Sequence, residues 1–431
     1  MLNKLKSSKI VKNSGWIVCG KVVQMLIAFL VGIFTARYLG PSNYGVIHTA
    51  QAYTSFFFPI CSLGLSGVFV KLLLDHPSEQ GKYLGSGIAI RTISSLIAML
   101  LMVLVVGIMN PTEKTLQLVC FIHSFSLLFQ AFDLFDYWYQ SRYESKYSSI
   151  IGIIGYFVSA IYKVVLLVTG KSVEWFAFAT VLDYLVIAVI YMTYTISKNH
   201  IKLEFSWKTV DSMFSVSKHL ILANLLVVLY GQMDKIMIGK LSSSASVGLY
   251  SVAISVCTMW TFVLSAIINS LRPNIVQLRN VDKKAYENRI IQLYSLVFWV
   301  CIAVSTVLCL SSDFIIGVLY GEEFIDAAGC LNIVTWYTGF SYLGVARNIW
   351  TVCENKQKYE KYFAIGGIVS NFILNLLLIP PYGIEGAAMA SLLTQITTNA
   401  IMPYLIRETR INALYVFKAL NPIHLFRMIA R

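Results

Sequence analysis

Residues 230–253 read "YGQMDKIMIGKLSSSASVGLYSVA" and residues 34–50 read "FTARYLGPSNYGVIHTA". In both, a basic residue closes an apolar helical run, small or turn-forming residues follow, and a glycine opens the next run. Aligned at an offset of 203 residues, Arg37 falls on Lys240, Gly45 on Gly248 and Ala50 on Ala253. A repeat at this distance predicts two halves of the same orientation, related by an axis along the membrane normal. The later copy also sets Asp234 beside Lys235 inside an apolar stretch, where charge is costly and marks function.

The surrounding chain is membrane-like throughout. Of 431 residues, 57% are hydrophobic and 13% charged, with a mean hydropathy of +0.69. Apolar runs of spanning length occur at about 14–38, 44–70, 84–109, 115–139, 147–169, 174–196, 213–240, 245–271, 290–311, 327–353, 359–379 and 384–406; about 20 such residues cross the hydrocarbon layer as a helix. The expected fold is an all-α polytopic membrane protein: about twelve transmembrane helices in two pseudo-symmetric six-helix lobes, 1–200 and 201–431, around a central cavity. The stretch 313–325 is too short to span and is expected at the interface. The basic start, Lys4 to Lys12, leads into an apolar run too long for a signal peptide, so the first helix is expected to be retained.

Twenty-five Lys and Arg fall in one alternating set of segments between spans, against Arg37, Lys114, Lys171 and Lys240 in the other. This bias orients the chain with both termini in the cytoplasm. The net charge of +13 therefore reflects topology and not a nucleic-acid surface. No connecting segment is long enough for a soluble catalytic or ATPase domain. "TGKS" at 169–172 has valine at 165, where a phosphate-binding loop needs glycine. The six histidines, His200 and His424 among them, lack metal-ligand spacing, and the eight cysteines read as small packing residues. No metal, cofactor or catalytic residue is expected.

Four stretches in order, "TARYLGPSNYGV" near the start, "FDLFDYWYQSRYESKY" at 132–147, "QMDKIMIGKLSSSASVGLYSVA" and "VLYGEEFIDAAGCLNIV" at 318–334, make the chain similar to the Wzx-type polysaccharide flippases of the multidrug/oligosaccharidyl-lipid/polysaccharide exporter superfamily. The resemblance implies a multi-pass protein of the bacterial cytoplasmic (inner) membrane. It implies a substrate of undecaprenyl-pyrophosphate-linked repeat units for O-antigen, lipopolysaccharide or capsule; alternating access is the expected mechanism, with energy from a proton or sodium gradient or from the substrate's own supply. A polysaccharide polymerase and membrane lipids are the implied partners.

Five basic residues lie within spans: Lys21, Arg91, Lys163, Lys235 and Arg347. They are the candidates for binding the anionic headgroup, Arg through its planar fork and Lys as a point charge; each also lies near enough to a helix end to snorkel. Asp133, Asp183 and Asp234 are the candidates for ion coupling or for structural pairing, and Asp136 extends a polar stripe with Gln130, Asp133 and Gln140. Asn371 with Asn375 and Gln395 with Asn399 read as interhelical hydrogen-bond pairs, with sugar contact as the other reading. Two further functions stand beside the flippase: a drug or metabolite cation antiporter of the same superfamily, and a membrane glycosyltransferase or polysaccharide polymerase. The first would favour an acidic cavity, the second an acidic catalytic cluster in a sizeable loop.

Overall fold

The computed structural model of the chain describes residues 2–199 and 201–422, with side chains described over 13–198 and 201–422. Lys4, Lys6, Lys9, Lys12, His200, His424, Arg427 and Arg431 lie outside the described side chains. Among the described residues there is no β-strand.

By length and apolarity, eight helical stretches can cross a membrane, or nine if Ser244–Thr258 and Thr261–Val281, bent by 40°, form one span. Two of the eight are too long for one crossing. Asn13–Ser62 has 50 residues, about 75 Å as a straight helix against about 30 Å of hydrocarbon. Gln357–Leu405 has 49 residues. Each is divided by a glycine outside helical geometry, Gly40 (φ 69°, ψ 171°) and Gly383 (φ 56°, ψ −130°). With Ala327–Cys353, which is 27 residues long but less apolar, the described residues hold twelve helical segments of spanning length. We number them α1 (2–39), α2 (41–62), α3 (Gln80–Met109), α4 (Lys114–Ser141), α5 (Ser145–Thr169), α6 (Val173–Lys198), α7 (Trp207–Leu241), α8 (244–281), α9 (Lys283–Leu310), α10 (Ala327–Cys353), α11 (360–382) and α12 (384–405). The expected limits of α10 coincide with those observed.

The repeat is visible in the turns. Gly40 breaks the first helix with a left-handed φ that a side chain would resist, and Pro41, lacking an N–H, starts the next. At the same 203-residue offset stands Ser243, which caps α8 by accepting from the Ser246 N–H at 3.1 Å. Both positions thus join two helices, with different backbone geometry at each: Gly40 has a positive φ, whereas Ser243 is extended. The last spans match as well: α6 contains a π-turn at Tyr191–Thr195 and α12 one at Thr397–Ile401.

Two expected helices are interrupted. The run 44–70 stops at Ser62, and the chain turns through Leu63 (φ 51°) and Gly64 (φ 68°) before the short helix Phe69–Asp75. The polar stripe of α4 is rotated by a 3₁₀ turn at Gln130–Asp133. The stretch after α9 forms the short helix Ser312–Tyr320.

The chain divides into two compact units, Met1–Gln232 and Met233–Arg431, so the division falls within α7. The early turns of α7 belong to unit 1 because Met213 is buried in its core with Leu65, Phe69, Leu84, Phe135 and Trp138. The segment 201–206 before it is bound to α3. The Glu204 N–H donates to Gly81 O at 3.3 Å, and the Ser206 N–H donates to Ser86 Oγ at 3.0 Å. A side chain at Gly81 or Gly85 would overlap the Lys202 and Glu204 carbonyls. Unit 2 builds its core from Ile268, Tyr294, Leu343, Trp350 and Tyr415, the last on the helix Arg410–Ala419.

Candidate functional site

Asp234 is the most heavily hydrogen-bonded carboxylate of unit 2. The i,i+4 pair Asn371 and Asn375 projects from one face of α11. Both carboxamides donate to Asp234 Oδ1, at 3.0 Å and 2.7 Å. Oδ2 accepts from the Tyr250 phenol of α8 at 2.8 Å and from the Ser391 hydroxyl of α12. Asn375 also donates to Asn371 Oδ1 at 3.1 Å. Three spans, α8, α11 and α12, therefore converge on a carboxylate of α7, and charge-assisted bonds of this kind are stronger than neutral ones. The buried Asn375 Oδ1 has no donor. The nitrogen and oxygen of a carboxamide exchange places by a half-turn of the side chain, so both amides can present oxygen where they now present N–H. The cluster then offers one carboxylate, two carboxamide oxygens, a phenol and an alcohol, a hard-oxygen set of single negative charge.

Lys235, half-buried, leaves the helix about 100° from Asp234, and the two charges still act on one another. Arg347, 5% exposed, donates through Nη1 to the Thr398 carbonyl at 3.0 Å and through Nη2 to Glu360 Oε2 at 3.1 Å. Its guanidinium lies 4.4 Å from the Phe363 ring centroid.

Unit 1 holds the remaining candidates and satisfies them less. Arg91 is fully buried on α3, and its three guanidinium nitrogens find no oxygen or nitrogen partner, the Cys61 thiol alone being within reach. Its charge acts on Asp133 and on the Cys61 thiol. Lys163 of α5 acts on Asp183 of α6 and on buried His123 of α4. Asp183 Oδ1 and both His123 ring nitrogens lack partners. Exposed Lys21 acts on Asp136, whose Oδ2 accepts from Gln140 at 2.9 Å.

Each of the five cations thus has a carboxylate neighbour: Lys21 has Asp136, Arg91 has Asp133, Lys163 has Asp183, Lys235 has Asp234 and Arg347 has Glu360. Only the last is a direct ion pair. Among the described residues no group of three or more His, Cys, Asp or Glu could hold a metal.

The sequence singles out Asp234 and the Asn pair separately, and the structure brings them together. Tyr250 and Ser391 carry no local signal, because a lone hydroxyl in an apolar helix is common. Glu360 carries little, because it lies at the start of a span. Gln395 and Asn399 pair with each other at 2.6 Å and do not reach Asp234.

Residues 34–329 match a family described as polysaccharide biosynthesis protein. Among curated proteins, the chain is similar to the probable flippase AglR of Haloferax volcanii, with 26% identity over 254 residues, 58% of this chain and 52% of that protein. The chain therefore spans about half the length of that relative. It is also similar to the putative O-antigen transporter of Shigella flexneri, with 24% identity over 412 residues, 88% of this chain and 94% of that protein. Among solved structures, lipid II flippase MurJ in an inward closed conformation aligns with a TM-score of 0.70 at 15% identity, covering 96% of this chain and 99% of that one. An inward-facing multidrug resistance MATE family transporter of the MOP superfamily aligns with a TM-score of 0.68 at 12% identity, covering 94% and 99%. At these identities the likeness concerns the fold, which is polytopic and all-α.

Proposed function

Because the chain belongs to the polysaccharide biosynthesis protein family, we propose that it is a flippase for undecaprenyl-pyrophosphate-linked oligosaccharide, driven by a monovalent cation held at Asp234. The similarity to a putative O-antigen transporter over 88% of the chain supports the lipid-linked sugar as cargo. The observation that carries the coupling is the convergence of Tyr250, Asn371, Asn375 and Ser391 on one carboxylate. A single negative charge with neutral oxygens suits sodium, since hard cations prefer oxygen ligands. A proton would need the carboxylate alone. In this reading the two six-helix halves, 1–200 and 201–431, alternate access to the two sides, and both termini lie in the cytoplasm of a bacterial cell. A polymerase would receive the product.

Arg91 is the leading headgroup ligand, because its guanidinium finds no oxygen or nitrogen partner and a planar fork matches phosphate oxygens. Lys21, Lys163 and Lys235 supply further positive charge. The antiporter reading rests on fold alone and has no residue-level support in this chain.

The deciding experiment is flipping of lipid-linked oligosaccharide in vesicles under imposed sodium or proton gradients. Wild-type protein should flip faster with a sodium gradient, and Asp234→Asn should lose that stimulation. Equal stimulation in Asp234→Asn would remove the coupling site. Inactive wild type that instead moves organic cations would remove the flippase. Deleting the gene should abolish surface polysaccharide while complete lipid-linked units accumulate, and incomplete units would point to a transferase. Reporters near Lys284 and Lys358 should read cytoplasmic and those near Lys171 and Glu322 external; the reverse pattern would invert the topology.

A further inference from the structure

We propose that Arg347 is a positioning residue for the Asp234 cation site, tying together the two helices that supply three of its four donors. The inference rests on the cation reading of Asp234. It assigns Arg347 to that site in place of the substrate contact its charge suggests.

Arg347 bridges α11 and α12 from α10. Through Nη2 it holds Glu360, the first residue of α11; through Nη1 it holds the carbonyl of Thr398, inside the π-turn of α12. Asn371 and Asn375 lie 11 and 15 residues after Glu360. At about 100° per residue they return close to the same face of the helix. Fixing Glu360 therefore fixes the rotation of the face that presents both carboxamides.

The π-turn does the same for α12. A π-turn inserts one residue into the helical repeat, so residues on its two sides are rotated by about 100° relative to an unbroken α-helix. Ser391 lies six residues before the turn begins. If the turn relaxed to α-helix, either Ser391 would swing away from Asp234 or the far end of α12 would rotate. A π-turn leaves a carbonyl without its usual N–H partner, and a buried orphan of this kind needs a donor. Arg347 supplies it at 3.0 Å. The same face of α10 admits the bulge: Gly344, one turn earlier, lies against the Asn399 carboxamide, which a Cβ there would overlap. Arg347 is thus engaged by protein through both Nη atoms, with Nε left without a partner, and lies against Phe363.

The test measures sodium dependence of flipping, and sodium-dependent thermal stabilisation in detergent, for Arg347→Met, Arg347→Lys and Glu360→Gln. Residues that orient a metal's ligands are typically worth about 10–100-fold in affinity. Arg347→Met should therefore raise half-saturating sodium by at least about tenfold while leaving the maximal rate and the half-saturating lipid substrate near wild type. Arg347→Lys should recover part of the shift, since an ammonium can reach the carbonyl or the carboxylate but lacks the fork for both. Glu360→Gln should shift sodium in the same direction by less. If Arg347→Met does not insert, the other two variants decide the question. Unchanged half-saturating sodium would overturn the proposal, and a raised half-saturating lipid substrate alone would make Arg347 a substrate contact. Asp234→Asn separates the two readings: if it keeps its sodium response, the cation site itself is wrong, whereas if it loses the response and the Arg347 variants do not shift, only the positioning role is wrong.

Discussion

The two units differ in how they hold their candidate charges, most clearly at Asp234 and at Arg91. In unit 2, Asp234 receives donors from two carboxamides, a phenol and an alcohol, and Arg347 is spent on Glu360 and Thr398. In unit 1, Arg91, His123 and Asp183 keep buried polar atoms without an oxygen or nitrogen partner, although opposite charges stand near. A buried polar atom without a partner is costly, and unit 2 also holds some, at Arg347 Nε, Glu360 Oε1 and Asn375 Oδ1. On the proposed reading, Asp234 of unit 2 holds a small ion and Arg91 of unit 1 meets the anionic headgroup.

The strongest test of this contrast is alanine in place of each carboxylate. Asp234→Ala strands four donors at once and should cost about 3–5 kcal/mol, the range for breaking a buried charged network, read as loss of thermal stability in detergent. Asp183→Ala should cost clearly less, because Oδ1 has no donor to strand. Equal losses would break the comparison. Next, Gly155→Ala would place a Cβ 2.5 Å from Ile187 Cγ1 and 3.0 Å from Asp183 Oδ1. Overpacking of this kind costs about 1–3 kcal/mol, and the displaced carboxylate should alter transport in unit 1 without touching the sodium response of unit 2.

Arg91→Gln sharpens the ligand assignment. Flipping in vesicles at matched protein density should fall about tenfold, as expected for one lost charge-assisted phosphate contact, with half-saturating sodium unchanged. A shift in sodium dependence would tie the two units' sites together. Lys114→Gln, at the first residue of α4, should be silent in the same assay. The smallest effect is at the matched turns: Ser243→Ala removes a side-chain cap worth about 1 kcal/mol, measured as a small drop in thermal stability. Transport should be preserved, since the turn stands apart from both sets of charges.

Much of this is legible in the sequence alone. Apolar length and basic-residue bias mark the spans, because in a membrane every backbone polar group must be satisfied within its own helix. The interruptions are not legible: 44–70 and 245–271 are as apolar as their neighbours, and what breaks them is local geometry at Leu63–Gly64 and at Met259–Trp260. Asp234 announces itself by its cost in an apolar run. Its partners do not, because they come from residues 16 to 157 positions away, and only packing decides which hydroxyl meets which carboxylate. The π-turns likewise leave no mark in composition.

The segment 201–206 has a consequence of a different kind. Hydrogen-bonded to Gly81 and Ser86 and seated where neither Gly81 nor Gly85 can bear a side chain, it contributes almost no slack between the last span of one half and the first of the next. Joined domains meet at an effective concentration set by the free length of their linker. Here residues 201–206 are held on α3, so α7 is delivered to its site on unit 1 with little free chain directly before it. A flexible insertion after Ser206 would leave every contact of the folded chain available and still slow its assembly, by restoring to the chain the freedom that the strap removes.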